Sequence, residues 1–453
     1  MLAKLTHPSP SLRQALADYA RGPLALLPGV VLLLVIRVYA ALGQWESGRV
    51  LALGLGMTCS MLITGGFVQA VSRRGSLYLG LGNRRAASQF LRITTRWALT
   101  CVVVAAVLSI LLMAALGLFT PAERFAFGLA FAGLGAIWLL AAGLVLVQAP
   151  GWLGAGLTLG LVAGIATDRI TALISSLHLT AGTAVGFVVT LGIIWSAVNR
   201  GLDSKPGKPA GSVRLPSISY LVYEAAPYLA YGFLYTLLIL LPHLLGWLGA
   251  LGPGQDRLGA MNGIEMGLTL ALLPMALAGG VAERTLRLFW GQAKLVQAAV
   301  QGHDPRQFGE ALIRFYRQKL QLYLAILAGG SFAAYLSFQA AWSAGLLNRW
   351  LQLSDLNTAA FVFRASLIAY CLLGWSSFNC MFAITMGRPR QPLRAALIGI
   401  VTLLVVGIPL SLGLHFSYAA LAFIAGTAAF AWVSTRSTRQ LLRSADYYYF
   451  SSF

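Results

Sequence analysis

Five ionisable side chains stand inside or at the end of long apolar runs of this chain. They are two arginines and three carboxylates: Arg37, Arg364, Asp168, Glu224 and Glu265. A charge within an apolar segment that crosses a membrane is costly, and it is typical of an ion or substrate pathway. Burial beside apolar walls favours the protonated carboxyl group at neutral pH, which is what proton coupling requires. In the alternative interpretation the cations pair with the carboxylates across a helix bundle and fix its packing.

Aromatic and amide side chains in the same runs could complete a binding surface for a sugar. The candidates for the substrate pathway are Tyr39, Tyr228, Trp375 and Asn379, with Tyr223, Tyr231 and Gln69 in similar surroundings. Their rings offer flat apolar faces, and their polar groups can hydrogen-bond to hydroxyls. Tyrosine and tryptophan also concentrate at membrane interfaces without any ligand, so both interpretations stay open for each residue.

Two prolines occupy corresponding places in the two halves of the chain. Pro28 lies in the first apolar run and Pro227 in the seventh. Proline removes a backbone donor and kinks a helix, so paired prolines are candidates for the hinges of a bending gate helix. The alternative is that proline is simply tolerated near the start of a helix.

The apolar runs that must position these residues predict a polytopic membrane protein. Hydrophobic residues make up 58% of the 453 residues and charged residues 10%. Runs of about 20 apolar residues, the length that crosses a bilayer, recur throughout. They predict twelve transmembrane helices near residues 24–45, 50–72, 97–119, 125–148, 151–167, 178–198, 220–249, 260–282, 320–347, 358–386, 393–415 and 417–435.

The basic residues predict the orientation of these spans. With both termini in the cytoplasm, 26 of the 33 lysines and arginines fall in cytoplasmic segments and 5 in external loops. Lysine and arginine near span ends favour the cytoplasmic side, so this division supports the arrangement. The net charge of +20 is then an orientation signal and an attraction to anionic lipids, and no nucleic-acid partner is expected.

The spans divide into two groups of six. A segment rich in glycine, proline and lysine, 199–217, predicts a cytoplasmic linker between six-helix bundles at 24–198 and 218–435. The predicted flanks are a cytoplasmic surface helix at 1–23 and a cytoplasmic tail at 436–453. Each half has its longest basic segment after its second span, which indicates a repeat. Because each half has an even number of spans, both halves enter from the cytoplasm, and the predicted repeat is parallel.

Within the second half, residues 284–319 alternate apolar and basic positions at roughly helical spacing. They predict one or two amphipathic helices at the inner membrane face, with Asp304 and Pro305 suited to a helix start. Two roles are open for this segment: an interfacial stabiliser, or a docking surface for a cytoplasmic partner.

Several segments resemble a known family of exporters. The two-times-six layout with a basic loop after the second span is similar to the multidrug/oligosaccharidyl-lipid/polysaccharide (MOP) exporter superfamily. Within it the chain resembles the PelG exopolysaccharide transporters, in SLRQALADYARGPLALLPG (11–29), VSRRGSLYLGLG (71–82) and LPMALAGGVAERTLRLF (273–289). The tyrosine- and phenylalanine-rich end, 447–453, is compatible with that family. The resemblance implies a bacterial inner-membrane carrier that moves an amino-sugar polymer outwards beside a cytoplasmic glycosyltransferase and membrane-bound synthase subunits.

The sequence contains none of the common catalytic motifs. It has no GxxxxGK[ST] phosphate loop, no HExxH and no GxSxG, and its five histidines have no metal-binding spacing. No enzyme activity, cofactor or metal is therefore expected. Three functions remain: a secondary carrier of flippase type for a polysaccharide or lipid-linked saccharide, a MATE-like small-molecule antiporter, and a membrane scaffold that anchors a synthase without transporting. The carrier is the prediction, because the basic 284–319 segment suits partner docking.

Overall fold

All regular secondary structure is helical in the part of the chain that the computed structural model describes. That part comprises residue 31 and residues 47–80, 84–147, 149–171, 178–203, 218–250, 257–300, 305–347 and 356–444. The long helices are α1 (Ser47–Gly80), α2 (Arg84–Ala115), α3 (Pro121–Leu146), α4 (Gly151–Thr171), α5 (His178–Asp203), α6 (Ile218–Ala250), α7 (Arg257–Val300), α8 (Pro305–Ser343), α9 (Leu356–Thr385), α10 (Arg390–Ile408) and α11 (Ala419–Arg443). A π-helical segment, Pro409–Leu414, and a 3₁₀ turn, Phe416–Tyr418, connect α10 to α11.

These helices correspond to the predicted membrane spans. Eleven described segments are long and apolar enough to cross a membrane, and they match predicted spans two to twelve in order. The first predicted span, 24–45, lies outside the described residues except for Val31, which is helical. The prediction of an all-helical, multi-pass membrane protein with about twelve spans is confirmed. The cytoplasmic orientation of both termini stays a prediction.

Several helices extend beyond the apolar run that predicted them. The second described helix, α2, begins at Arg84, well before residue 97. In the 284–319 segment, α7 continues without a break through Val300 and α8 begins at Pro305, where the sequence predicts a helix start. The amphipathic residues are thus extensions of spanning helices and not separate surface helices. Alanine, arginine, glutamine and leucine favour helix, so the helical backbone continues after the apolar run has ended.

The described residues group into two compact units, 31–240 and 241–444. The first contains α1 to α5 and the beginning of α6, with α3 packed along α1 and α4 packed along α5. Its core is aliphatic and small, as shown by Leu53, Ala130, Leu134 and Ile194. The predicted bundle boundaries around the linker 199–217 stay a prediction, because residues 204–217 lie outside the described part.

The second unit is built around α9. The neighbours of α9 are α7, α8 and α11, and α10 packs along α11. At one end its core is aromatic: the Phe289 ring meets Phe382 edge to face at 5.3 Å, and Tyr323 stacks on Phe378 at 4.9 Å between ring centroids. These rings come from α7, α8 and α9, so the extensions of α7 and α8 are packed elements of the fold.

Glycines bring the backbones of α4 and α5 into direct contact. A Cβ atom on Gly164 would lie 2.8 Å from the carbonyl oxygen of Gly182, and one on Gly186 would lie 2.9 Å from the carbonyl oxygen of Gly160. Thr190 Oγ1 donates a hydrogen bond across the contact to the carbonyl of Gly156, at 3.1 Å. Membrane helices associate closely through small residues in this way. The short, glycine-rich fifth predicted span is therefore confirmed as a helix.

Replacing Gly164 by alanine is expected to lower the thermal stability of the protein. The new methyl group would clash with backbone, which cannot rotate away, and such overpacking costs about 1–3 kcal/mol. Thermal unfolding of the purified protein in detergent measures the effect. Gly329→Ala is the matched control, because no atom lies within 4 Å of the added Cβ. Equal melting temperatures for the two variants would contradict the prediction.

Candidate functional site

An ion pair joins the end of α1 to the beginning of α6. Arg74 Nη1 lies 2.9 Å from Oε2 of Glu224, and the two side chains are 18% and 23% exposed. The sequence predicts Glu224 as a pathway residue, and the structure adds its partner. Both residues lie near the ends of candidate spans, Gly48–Gly75 and Ser219–Ala250, so the pair sits at one edge of the apolar region.

Glycine contacts place α1 and α6 close enough for this pair to form. A Cβ atom on Gly66 would lie 2.6 Å from the carbonyl oxygen of Leu229, and one on Gly232 would lie 2.8 Å from Cα of Gly66. The two helices run in opposite directions, so residues later in α1 meet residues earlier in α6. Arg74 and Glu224 lie further along this contact, about two turns beyond Gly66 and Gly232.

Three tyrosines surround the ion pair. Tyr220 Oη donates a hydrogen bond to Oε1 of Glu224 at 2.8 Å, and Cζ of Arg74 lies 5.8 Å from the ring centroid of Tyr228. Burial raises the pKa of the Tyr78 phenol above its ordinary value, with Glu224 adding to the shift and Arg74 opposing it. This phenol therefore stays protonated at neutral pH and can donate a hydrogen bond. We call Arg74, Tyr78, Tyr220, Glu224 and Tyr228 the Arg74 cluster.

The Arg74 cluster could bind a polar ligand, and its ion pair could form and break reversibly. It combines one cation, one anion and three phenol rings, which together can hydrogen-bond to hydroxyls and cover an apolar face. A cationic ligand would compete with Arg74 for the carboxylate of Glu224. Among the described residues no group of three histidine, cysteine, aspartate or glutamate side chains could hold a metal ion.

The sequence places Arg74 within a basic loop and so does not single it out. In the structure residues 73 and 74 belong to α1, which continues to Gly80. The sequence signal that could have identified Arg74 is the helix-favouring composition that continues past the apolar run. If the helix continues, Arg74 lies on it about two turns beyond Gly66. Its pairing with Glu224 depends on the packing of α1 against α6, which no local pattern contains.

The other two predicted carboxylates are buried on different helices. Glu265 in α7 is 4% exposed, and Asp168 in the last turn of α4 is 6% exposed. Both interact with other groups of the protein. Asp168 lies against the backbone contact of α4 with α5, since a Cβ atom on Gly182 would be 2.9 Å from the Cβ of Asp168. Their roles in ion coupling stay a prediction.

Asn379 is the centre of a buried hydrogen-bond network. Tyr316 Oη donates to Asn379 Oδ1 at 2.6 Å, and Asn379 Nδ2 donates to Thr435 Oγ1 at 2.8 Å. Thr438 Oγ1 donates to the backbone carbonyl of Asn379 at 3.2 Å. These bonds tie α8, α9 and α11 together, so Asn379 has a structural role that the sequence does not reveal. Its predicted place in a pathway stays a prediction.

Two further predicted residues lie on α9. Arg364 is exposed, and its guanidinium carbon lies 5.5 Å from the ring centroid of Trp342. Trp375 is half-buried, and its Nε1 is buried with no hydrogen-bond partner in the part of the chain that the structure describes. The places of Arg364 and Trp375 in a substrate pathway stay a prediction.

Some of the predicted hinge and pathway residues lie outside the part of the chain that the structure describes. Pro28, Arg37 and Tyr39 lie outside the described residues, and Pro227 lies within the continuous helix α6. The structure adds Pro274, which the sequence analysis does not single out, inside α7 in the middle of a candidate span. Its sequence signal was a proline within an unbroken apolar run. Proline at this depth removes one backbone hydrogen bond, so α7 has a built-in weak point.

Solved structures share this architecture, although no protein-family profile and no curated protein matches the chain. A mutant of the Vibrio cholerae MATE transporter VcmN has 15% sequence identity, with 96% of this chain and 98% of that chain covered and a TM-score of 0.68. For a multidrug resistance MATE family transporter of the MOP superfamily, the outward-facing conformation has 12% identity, coverage of 94% and 95%, and a TM-score of 0.65. Its inward-facing conformation has 12% identity, coverage of 94% and 94%, and a TM-score of 0.61.

The protein has the MATE transporter fold. The expected likeness to the MOP superfamily is thereby confirmed at the level of architecture. These solved proteins are transporters, and this chain shares their fold. The narrower resemblance to PelG exporters remains a proposal.

The ion pair predicts a non-additive effect of two substitutions. Arg74→Gln and Glu224→Gln should each lower the thermal stability, because a hydrogen bond to a charged group contributes about 1.5–3 kcal/mol. The double variant should lose less than the sum, since neither charge is then left without the other. Thermal unfolding of the four proteins in one detergent gives the comparison. Strictly additive losses would show that the pair is not coupled.

Proposed function

We propose that the protein is a secondary transporter of the bacterial inner membrane that exports a saccharide polymer or a lipid-linked saccharide by alternating access. The fold supports a transporter, because similar solved structures include a MATE transporter in both outward-facing and inward-facing conformations. Eleven apolar helices provide the membrane body. No part of the proposal needs a cofactor.

The observation that carries the proposal is the Arg74 cluster. The sequence assigns α1 to the first predicted bundle and α6 to the second, and residues 218–240 of α6 lie in the same compact unit as α1. The ion pair joins them at the end that the positive-inside rule assigns to the cytoplasm. Because both side chains keep partial access to water, the pair can separate without moving a bare charge into lipid. We infer that it closes the transporter on the cytoplasmic side and opens when substrate enters.

Several features favour a saccharide as the substrate. The Arg74 cluster presents tyrosine rings and hydroxyl groups beside a carboxylate, and Tyr223 nearby is 73% exposed. A carboxylate that already accepts from a phenol and a guanidinium could also accept from the ammonium group of an amino sugar. This chemistry agrees with the Pel-type polymer that the resemblance to the PelG family implies.

The long cytoplasmic extensions favour a carrier that works with other subunits. Helix α7 has 44 residues, or about 66 Å, and its candidate span ends at Leu286. Phe289 of α7, Phe308 of α8 and Phe382 of α9 belong to one buried aromatic core at this end of the helices. The extended ends of α7 and α8 would suit a cytoplasmic glycosyltransferase or membrane-bound synthase subunits, which are proposed partners together with anionic lipids.

A small-molecule antiporter is the second candidate. The fold supports it equally, since one of the similar solved structures is a multidrug resistance MATE transporter. The two buried carboxylates, Asp168 and Glu265, would serve proton or cation coupling in either function. A scaffold without transport is the third candidate, and under it the Arg74 cluster would need no opening motion.

A disulfide between α1 and α6 should stop transport. A Cβ atom on Gly65 would lie 3.1 Å from the Cβ of Thr236, so cysteines at these two positions can be joined after a small shift. The variant is made in a background without Cys59, Cys101, Cys371 and Cys380. Oxidation should abolish flux into proteoliposomes, and a reductant should restore it.

The matched control for this disulfide joins α2 to α3 within the first predicted bundle. A Cβ atom on Gly135 would lie 3.6 Å from the Cβ of Val102, and a disulfide there should leave transport unchanged. If the α1–α6 disulfide also leaves flux unchanged, the proposal that these helices separate during transport is wrong.

Substrate class and coupling are tested by export in cells that lack their own saccharide exporter. Wild-type protein should restore polymer outside the cell, and Glu265→Gln should reduce export at least about tenfold if this buried carboxylate carries the coupling charge. Glu310→Gln, at an exposed position, is the control at equal membrane abundance. Efflux of a cationic dye without polymer export would favour the small-molecule antiporter, and loss of both would favour the scaffold.

A further inference from the structure

A groove lies between the first turn of α4 and the last turns of α5, apart from the Arg74 cluster. Its volume is about 230 Å³, and its lining residues are Trp152, Gly192, Ile193, Ser196, Ala197 and Arg200. Most of the lining is apolar, and Arg200 is the one charged side chain in it. Trp152 and Arg200 are both exposed at its rim.

The groove exists because the contact between α4 and α5 is not closed along its whole length. Gly160 and Gly164 hold the two backbones together in the middle of the helices. At Gly192 an added Cβ atom would meet no atom within 4 Å. No side chain fills the space between the beginning of α4 and the end of α5, and this space is the groove.

The groove lies at the level of the lipid headgroups. The candidate spans of the two helices are Gly151–Thr171 and Ala181–Leu202, so Trp152 begins one span and Arg200 ends the other. Further along both helices, large apolar side chains are exposed, with Leu159 at 54% and Val188 at 69%. In a membrane protein such a surface faces acyl chains. The same face therefore presents an acyl-chain surface and, at its end, a cation beside an indole.

This combination fits one ligand. A guanidinium group binds phosphate through two parallel hydrogen bonds, and tryptophan side chains are enriched at the level of the lipid headgroups. Basic pockets between helices on the cytoplasmic side bind anionic lipids. The hydroxyl of Ser196 is engaged with the carbonyl of Gly192 at 2.8 Å, so Arg200 must supply the charged contact. The positive-inside assignment puts this end in the cytoplasmic leaflet.

We propose that the α4–α5 groove is a binding site for an anionic phospholipid of the cytoplasmic leaflet. Arg200 holds the phosphate, Trp152 covers the glycerol region, and the acyl chains follow the apolar face of α4 and α5. Bound lipid would fix the end of α5 where the chain leaves the membrane for the predicted linker 199–217. The site does not depend on the proposed substrate or on transport.

The test is native mass spectrometry of the purified full chain in nanodiscs that contain phosphatidylcholine and phosphatidylglycerol. Phosphatidylglycerol should be retained in preference to phosphatidylcholine. Arg200→Gln removes the cation and should lower the retention of phosphatidylglycerol about fivefold, the effect of one basic residue near a membrane surface. Gly192→Leu fills the groove and should lower the retention of phosphatidylglycerol to a similar extent. The matched controls are Gly329→Leu and Arg394→Gln, at an open glycine and an exposed arginine away from the groove.

Three outcomes would overturn the proposal. One is equal retention of the two lipids, and another is an equal loss of phosphatidylglycerol in the control variants. The third is protection by inorganic phosphate alone: if it raises the melting temperature as much as phosphatidylglycerol does, and Arg200→Gln removes that effect, the groove is a site for a soluble anion. Circular dichroism of each variant confirms that the helices are intact before retention is compared.

Discussion

Direct contact between helix backbones at glycine is the interaction on which the rest of the structure depends. Apolar side chains gain little by leaving lipid for a helix interface, so membrane helices associate through close packing and polar contacts. The Gly66–Leu229 contact brings α1 to α6, and the Gly164–Gly182 contact brings α4 to α5. The first contact positions the Arg74 cluster, and the end of the second leaves the α4–α5 groove. Both candidate sites are thus consequences of where glycine contacts occur and where they stop.

Hydroxyl groups within the spans donate hydrogen bonds in two ways: to a carbonyl of their own helix, or to a carbonyl of another helix. Most donate to the carbonyl four residues earlier in their own helix, as Thr64 does to Ser60 and Thr402 to Ile398. This bond removes the cost of a polar group in lipid without involving another helix. A few reach a second helix, such as Ser411, which donates to the carbonyl of Leu245. The network of Asn379 is a further case, and it connects α9 to both α8 and α11.

The mechanical properties of the fold follow from the same contacts. A partly exposed ion pair such as Arg74 with Glu224 is modest in strength and reversible, whereas a fully buried amide network such as that of Asn379 is costly to break. The network of Asn379 should therefore hold α8, α9 and α11 together more firmly than the ion pair holds α1 to α6. Pro274 in α7 weakens one helix within its span, where a missing backbone hydrogen bond lets the helix bend.

The sequence by itself determined the helices, because a run of about 20 apolar residues has one stable conformation in lipid and hydrophobicity is a local property. It predicted the eleven candidate spans that the structure describes, and it named Glu224 as a candidate because of its charge beside apolar sequence. Only the tertiary structure decided that Arg74 is the partner of Glu224, that Asn379 ties three helices together, and that Trp152 meets Arg200 across a groove. These pairs are far apart in the chain, and their meeting depends on which faces of α1, α4, α5 and α6 pack together. Helical periodicity gives each helix its faces, but the close approach at glycines selects which face meets which, and that choice is made only when the helices assemble.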